Sequence, residues 1–326
     1  MKRNKFLALV LVILLIFSLS LTACGKKENV VEDKTVRLAI ATGGTSGTYF
    51  PLGGAFANII NEKVDGATAN AESTGASLEN VNLLNNGDVD FALIQNDISY
   101  YAFTGTEMFA DKSALPNLRA VASLYPEIVQ IVAAGSAEIN SVEDLRGKRV
   151  AVGAPGSGVE TNARQILAAY GMTYEDIQAD YLSFAEAADG IKDGHVHAAF
   201  ITAGTPTAAI TDLSTTHDIN LVAIPSEMAA TLGESYPFYE EVVIPAGTYR
   251  NQEEDINTVA VMAMLTVRAG LDEELVYNIT KALFENLDAM AAAHSRGADI
   301  SLDTAKYGLS LDLHPGAARY FDEVGK

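Results

Sequence analysis

The segments whose residue types and spacing could do chemistry are two glycine-rich loops. Thr42-Gly43-Gly44-Thr45-Ser46-Gly47-Thr48 and Gly153-Ala154-Pro155-Gly156-Ser157-Gly158 each follow a short β-type run and open a helical pattern. A loop in that position presents free backbone N–H groups and the positive end of a helix dipole. Such a site favours a carboxylate or phosphate without requiring Arg or Lys. Thr45, Ser46 and Thr48 add hydroxyl donors to the first loop, and Ser157 adds one to the second. Tyr49 follows the first loop, where it can stack on a ligand, hydrogen-bond to it, or pack in the core. The first loop lacks the G-x-G-x-x-G order, the second reads G-x-x-G-x-G, and neither continues to Lys-Ser/Thr. Nucleotide-phosphate motifs are therefore excluded.

Other constellations are weaker. His195-Val196-His197 puts two imidazoles on one face of an extended segment, an acceptable metal pair, but spacing supplies no third ligand. His314-Pro315-Gly316 reads as a turn before a terminal helix. The chain has no G-x-S-x-G or H-E-x-x-H motif and no Cys after position 24, so it reads as a non-enzyme without cofactor or metal. Its 42 acidic residues against 22 basic ones, net −20, are too many for an acid/base pair to stand out. The same balance repels a phosphate backbone and excludes a general nucleic-acid binder.

The elements that must position the loops alternate strand and helix. Val36–Ala41 leads into the first loop, a helix runs from Phe50 to Glu62, and strand-like Ala67–Ala71 follows. A helix around Ala76–Asn85 and a buried strand at Val89–Ile94 complete the unit. The order restarts downstream with Val129–Ala134, a capped turn at Ser141–Asp144, Arg149–Val152, the second loop, a helix to about Tyr170, and Val196–Thr202. Asn86-Gly87-Asp88-Val89-Asp90-Phe91-Ala92-Leu93-Ile94-Gln95 lines up with Asp193-Gly194-His195-Val196-His197-Ala198-Ala199-Phe200-Ile201-Thr202. This implies an α/β protein with a mainly parallel sheet, built from two similar lobes whose loops share one cleft. Ligands of open α/β sheets sit at the carboxyl ends of strands. That rule places Gln95-Asn96-Asp97 and Thr202-Ala203-Gly204 beside the two loops. Farther on, Glu240–Pro245 reads as a strand, and helical patterns cover about 255–267, 272–286 and 287–295. The run Val259–Val267 also suits a buried strand. Candidate hinges lie near 118–128 and 222–245.

The N-terminus carries an export signal. Lys2, Arg3 and Lys5 precede an apolar run from Phe6 to Leu21, too short for a stable membrane span. Leu21-Thr22-Ala23-Cys24 matches a bacterial lipoprotein processing box, with Cys24, the chain's one cysteine, as the lipidation site. Cleavage before it leaves 19 basic against 42 acidic residues, a balance of −23. The expected layout is a signal peptide at 1–23, a polar tether at 24–34, lobe 1 at 35–125, lobe 2 at 126–230, and a return to lobe 1 over 231–326. Such a protein is extracytoplasmic and held to the membrane by its N-terminal lipid.

Four stretches carry a family resemblance: ATGGTSGTYFPLGGAFANIIN (41–61), NNGDVDFALIQND (85–97), LRGKRVAVGAPGSGVETNARQIL (145–167) and LHPGAARYFDEVG (313–325). Together they resemble the TAXI-type solute-binding proteins of TRAP transporters over nearly all of residues 35–326. Ser46, Val159 and Asn96 depart from that pattern, where members often have Gly, Thr and Ser. The resemblance implies a type II periplasmic-binding-protein fold that closes on one small carboxylate, such as glutamate or 2-oxoglutarate. It also implies delivery of that solute to an ion-gradient-driven TRAP permease. Carried over by position, the ligand-binding residues are Thr45, Ser46, Gly47, Tyr49, Gln95, Asp97, Ser157, Gly158, Thr202 and Gly204. Thr45, Ser46 and Ser157 would donate to carboxylate oxygens, Gln95 and Asp97 would read a polar group or ammonium, and Tyr49 would cover the apolar stem. A lipid-anchored sensor for a membrane signalling partner is the alternative with the same cleft.

Overall fold

The computed structural model describes residues 35–111 and 113–326. The signal segment, Cys24 and the tether lie outside the described residues. Ten strands form one sheet. They are β1 (Val36–Ala41), β2 (Ala67–Glu72), β3 (Phe91–Gln95), β4 (Leu118–Ala134), β5 (Arg149–Ala151), β6 (Gln178–Asp180), β7 (Ala198–Ala203), β8 (Ile219–Val222), β9 (Glu240–Ile244) and β10 (Ile256–Arg268). Their order is β2-β1-β3-β10-β4-β7-β5-β6, with β8 on β4 and β9 on β10. Read from either end, the path gives three parallel strands and then an antiparallel one. The repeat seen in the sequence is thus a repeat of sheet topology.

Two long strands join the halves. The 13-residue β10 occupies a segment whose Ala- and Met-rich composition reads as a helix, and this is a correction to the sequence expectation. It is buried on both faces, so it lacks the alternation that marks a strand. The 17-residue β4 likewise covers the expected hinge at 118–128. Both strands change core partway along. In β4, Val121, Leu124 and Tyr125 pack in the first half, whereas Ile128, Val129 and Ile131 pack in the second. In β10, Val259 and Val261 belong to the second half, and Ala263 and Leu265 to the first. Leu232, Tyr239, Ile244 and Tyr249 also pack in the second half. The chain therefore returns to the first half near Met262 rather than at 231.

The helices nearest the cleft begin at strand ends. They are α1 (Tyr49–Lys63), α2 (Ser77–Asn86), α3 (Asn96–Thr104), α4 (Gly158–Ala169) and α5 (Phe184–Lys192). Ser157 caps α4 by accepting the Glu160 N–H at 3.3 Å. Ser183 caps α5 in a reciprocal box with Glu186. Gly153 at φ +103° turns the chain out of β5 toward α4, a conformation that favours glycine. Helices α6 (Ala208–Thr216) and α7 (Ser226–Ser235) belong to the second half. The expected helices near 272–286 and 287–295 are α8 (Glu273–Phe284) and α9 (Leu287–Ala293), and the terminal helix α10 spans Pro315–Glu323. His314 caps α10, its Nδ1 accepting the Gly316 N–H at 3.2 Å. No helix among the described residues is long and apolar enough to cross a membrane.

Candidate functional site

Strand register builds the floor of the site. Ala263 of β10 pairs with Gln95 of β3 and with Tyr125 of β4. Val261 pairs with Glu127, and Val129 with Thr202 of β7. Because side chains alternate along a strand, Gln95, Glu127 and Thr202 share one face of four adjacent strands. Glu127 stands where β4 crosses from one core to the other.

Above this row lies a cavity of about 80 Å³, enough for a few water-sized groups. Its wall combines Gly43, Gly44, Gly47, Thr48 and Tyr49 of the first half with Ala154, Ser157, Gly158, Val159, Ser183 and Phe184 of the second. Thr74, Gly75, Ala76 and Ser77 close one side. Among the described residues the lining contains no Lys, Arg or His. The N-terminal ends of α1, α2, α4 and α5 converge on it. Those of α2 and α5 are already engaged: Gly156 O accepts from the Leu78 and Glu79 N–H groups, each at 3.0 Å, and Ser183 serves α5. Ser157 likewise caps α4 through the Glu160 N–H, whereas α1 has no side-chain cap. The first-turn N–H groups of α1, and those of α4 ahead of Glu160, are the ones placed to face a ligand.

The polar groups of the floor are buried and incompletely paired. Glu127 is 3% exposed, and its Oε2 accepts the Tyr49 hydroxyl at 2.6 Å. Burial pushes the Glu127 carboxyl up to about 8; the Tyr49 hydrogen bond opposes this and the Asp97 charge adds to it. Burial likewise drives the Tyr49 hydroxyl well above its ordinary value, reinforced by Glu127. Gln95 Oε1 and Thr202 Oγ1 are buried and have no hydrogen-bond partner. Native proteins satisfy most buried polar atoms, so two unpaired oxygens in the wall of one cavity make it the candidate site.

Behind the cavity a polar network ties the halves together. Gln95 Nε2 donates to Asn162 Oδ1 at 3.1 Å, and Asn162 Nδ2 donates to Asp97 Oδ2 at 3.2 Å and Tyr239 Oη at 2.9 Å. Tyr239 donates to Gln165 Oε1 at 2.8 Å, and Gln165 Nε2 reaches Tyr101 Oη at 3.3 Å. Asp97 Oδ1 accepts the Ile98 N–H at 2.7 Å. Burial raises the Asp97 carboxyl to about 7, opposed by its bonds from Ile98 and Asn162.

The structure brings Gly47, Tyr49, Gln95, Ser157, Gly158 and Thr202 of the sequence-derived set to the cavity. It does not bring Thr45 and Ser46, the expected carboxylate donors. The Gly47 N–H closes a turn onto Gly44 O at 3.1 Å, leaving Thr45 exposed and Ser46 half-buried at its tip. Thr45→Ala and Ser46→Ala are therefore expected to change solute affinity less than twofold, as titration calorimetry would read it; a loss of tenfold or more would return the turn tip to the site. Asp97 lies behind the wall, and Gly204 is engaged by Thr48, whose Oγ1 accepts the Gly204 N–H at 3.1 Å. The sequence reading misses Glu127, the Thr74–Ser77 segment, and Ser183 with Phe184 among the lining residues. The signal for Glu127 is a lone acid inside the apolar run Leu124-Tyr125-Pro126-Glu127-Ile128-Val129. The His195/His197 pair precedes β7, and His197 Nδ1 is taken by the Arg149 N–H at 2.9 Å. No group of three metal-ligating side chains occurs among the described residues.

Solved structures share this architecture. A protein of Bordetella bronchiseptica RB50 matches with a TM-score of 0.57 and 14% identity over 90% of this chain and 99% of its own. The alkanesulfonate-binding protein SsuA of Xanthomonas axonopodis pv. citri, bound to MOPS, matches at 0.51 and 16%, over 88% and 83%. The periplasmic aliphatic sulphonate-binding protein SsuA of Escherichia coli matches at 0.50 and 18%, again over 88% and 83%. The mixed α/β fold is that of periplasmic solute-binding proteins. A model of the NMT1-like family matches residues 40–325, and the chain belongs to that family.

Proposed function

We propose that the protein is an extracytoplasmic receptor that closes on one small carboxylate or amino acid and hands it to a membrane permease. In this reading the sheet halves are lobes, residues 35–125 with 262–326 against 126–261, and the hinge is the pair of crossing strands β4 and β10. The carrying observation is the cavity between the halves, whose wall holds the orphaned Gln95 Oε1 and Thr202 Oγ1. The uncapped end of α1, and the α4 N–H groups ahead of the Ser157 cap at Glu160, offer donors to a carboxylate, with Ser157 Oγ–H beside them. Closure is a population shift driven by a solute that touches both lobes at once.

The four TAXI-like stretches support an ion-gradient-driven TRAP permease as the partner, and the processing box at 21–24 supports a lipid anchor on Cys24. The sulfonate-binding neighbours supply the competing solute class. A cation-free lining with a carboxyl at its floor disfavours a strong acid at that end. The test is thermal unfolding of ligand-stripped protein with amino acids, 2-oxo acids, dicarboxylates and alkanesulfonates. A solute at about 100 times its Kd adds ~2.7 kcal/mol to stability. One or more carboxylates raising Tm supports the reading; stabilisation by sulfonates alone replaces it.

A further inference from the structure

We propose that Glu127 makes the floor of the cavity an ammonium subsite, so that the solute is zwitterionic and its 2-oxo analogue is rejected. This rests on the solute-receptor reading and narrows it from small carboxylates to amino acids.

Donors and acceptors on the floor point to that group. The floor presents Gln95 Oε1, which can only accept, Thr202 Oγ1, which can accept or donate, and the Glu127 carboxyl. Tyr49 donates to Glu127 Oε2, and Glu127 Oε1 has no hydrogen-bond partner among the described residues. A 2-oxo group supplies only acceptors and leaves Gln95 Oε1 unsatisfied. An ammonium supplies three donors, matching the three oxygens, and its charge is countered by the one acid in the lining. The opposite end of the cavity has the reverse character, with the α1 and α4 N-termini and the Ser157 hydroxyl. The cavity is thus polarised to suit a carboxylate at one end and an ammonium at the other.

Charge accounting gives a second signature. The titratable groups facing Glu127 are Tyr49 from α1, Asp97 from α3, and Tyr125 from its own strand. From β10 and β7, Val261 and Thr202 pair along this row and carry no charge. Arg296 is engaged by Thr205 and Asp299 instead. With burial holding its carboxyl near 8, Glu127 keeps its proton at pH 7 in the solute-free cavity. An arriving ammonium ionises it, and the proton leaves to solvent. Amino-acid binding at pH 7 therefore releases protons, approaching one per site.

The experiment uses titration calorimetry of wild-type protein and Glu127→Gln with the common L-amino acids and their 2-oxo acids. Each is run at pH 7 in phosphate and in Tris, whose ionisation heats differ. The expected result is an amino acid bound at least 100-fold tighter than its 2-oxo acid, with proton release. In Glu127→Gln that preference falls below tenfold and the buffer dependence disappears. Gln preserves the shape and can accept from Tyr49, and an unchanged circular dichroism spectrum verifies its fold. If 2-oxo acids or dicarboxylates bind as well as the amino acids, the ammonium subsite is wrong while the receptor reading stands. Unchanged selectivity in Glu127→Gln also overturns it. If no carboxylate of either kind binds folded wild-type protein, the ligand class and the subsite both fall.

Discussion

Gly158→Ala is expected to weaken solute binding by roughly 10- to 100-fold. A methyl group at 158 would lie 1.8 Å from Gln95 Oε1, 2.5 Å from Gln95 Cδ and 3.1 Å from Ile98 Cγ1. Gln95 is 2% exposed and its amide is bonded to Asn162, so it has little room to withdraw. The clash is between the halves: Gly158 begins α4 in one, and Gln95 ends β3 in the other. The closed arrangement is penalised, while each core is untouched. Overpacking of this kind costs ~1–3 kcal/mol, and ~2.7 kcal/mol corresponds to 100-fold in affinity. The matched control is Gly54→Ala in α1, where a Cβ meets nothing within 4 Å. It should bind like wild type and gain about 0.5–1 kcal/mol from reduced freedom of the unfolded chain. Calorimetric titration with a solute found by thermal shift measures both. Equal affinities for the two variants would mean that Gly158 and Gln95 do not approach in the bound state.

The second large effect is on stability against pH. Glu127 and Asp97 are raised in the folded state to about 8 and about 7, from ordinary values of 4.5 and 3.8. Between those limits the folded protein holds more protons than the unfolded chain, so unfolding free energy falls as pH rises. The stability supplied by the neutral carboxyls is complete below about pH 4 and is lost as pH passes through 7 and 8. Solute-free wild type is expected to lose a few kcal/mol between pH 5 and pH 9, since each tenfold difference in proton affinity between the folded and unfolded states is worth about 1.4 kcal/mol. Glu127→Gln removes one of the two groups and should halve that slope. Denaturant unfolding across pH reads it directly; parallel curves for the two proteins would mean that Glu127 is ionised and satisfied in the solute-free fold.

Particular residues show why some of this was legible in the chain and some was not. Gly158, Ser157, Gln95 and Thr202 are visible because they recur at matching places in two copies of one supersecondary unit, and the palindromic sheet order follows from that duplication. The phase of the first loop was not legible. Whether Thr45 and Ser46 or Thr48 and Tyr49 face the ligand depends on where a single turn closes, which composition does not determine. Residues 255–267 read as a helix because a strand covered on both faces has no polar side to alternate with. Glu127 was hidden among 42 acids, and its position became informative only when register placed it between Gln95 and Thr202.

The crossing strands also explain why the site sits where it does. β4 and β10 exchange cores at Tyr125–Ile128 and Val261–Ala263, next to the Glu127 floor. In the proposed receptor, hinge and solute are therefore adjacent, and a small rotation there would move the glycine loop of α4 relative to Tyr49 and Gln95. The Gln95–Asn162–Asp97 contacts, together with Gly156 O on the α2 N-terminus, are what such a rotation would make and break.

The decisive measurement is a crystal structure of the wild-type protein saturated with a solute that raises its Tm. One solute molecule is expected between the halves, touching Gln95, Glu127 and Thr202 at the floor and the N-terminal ends of α1 and α4 above. Solute bound elsewhere, or touching only one half while this cavity stays unoccupied at saturation, would contradict the proposed site.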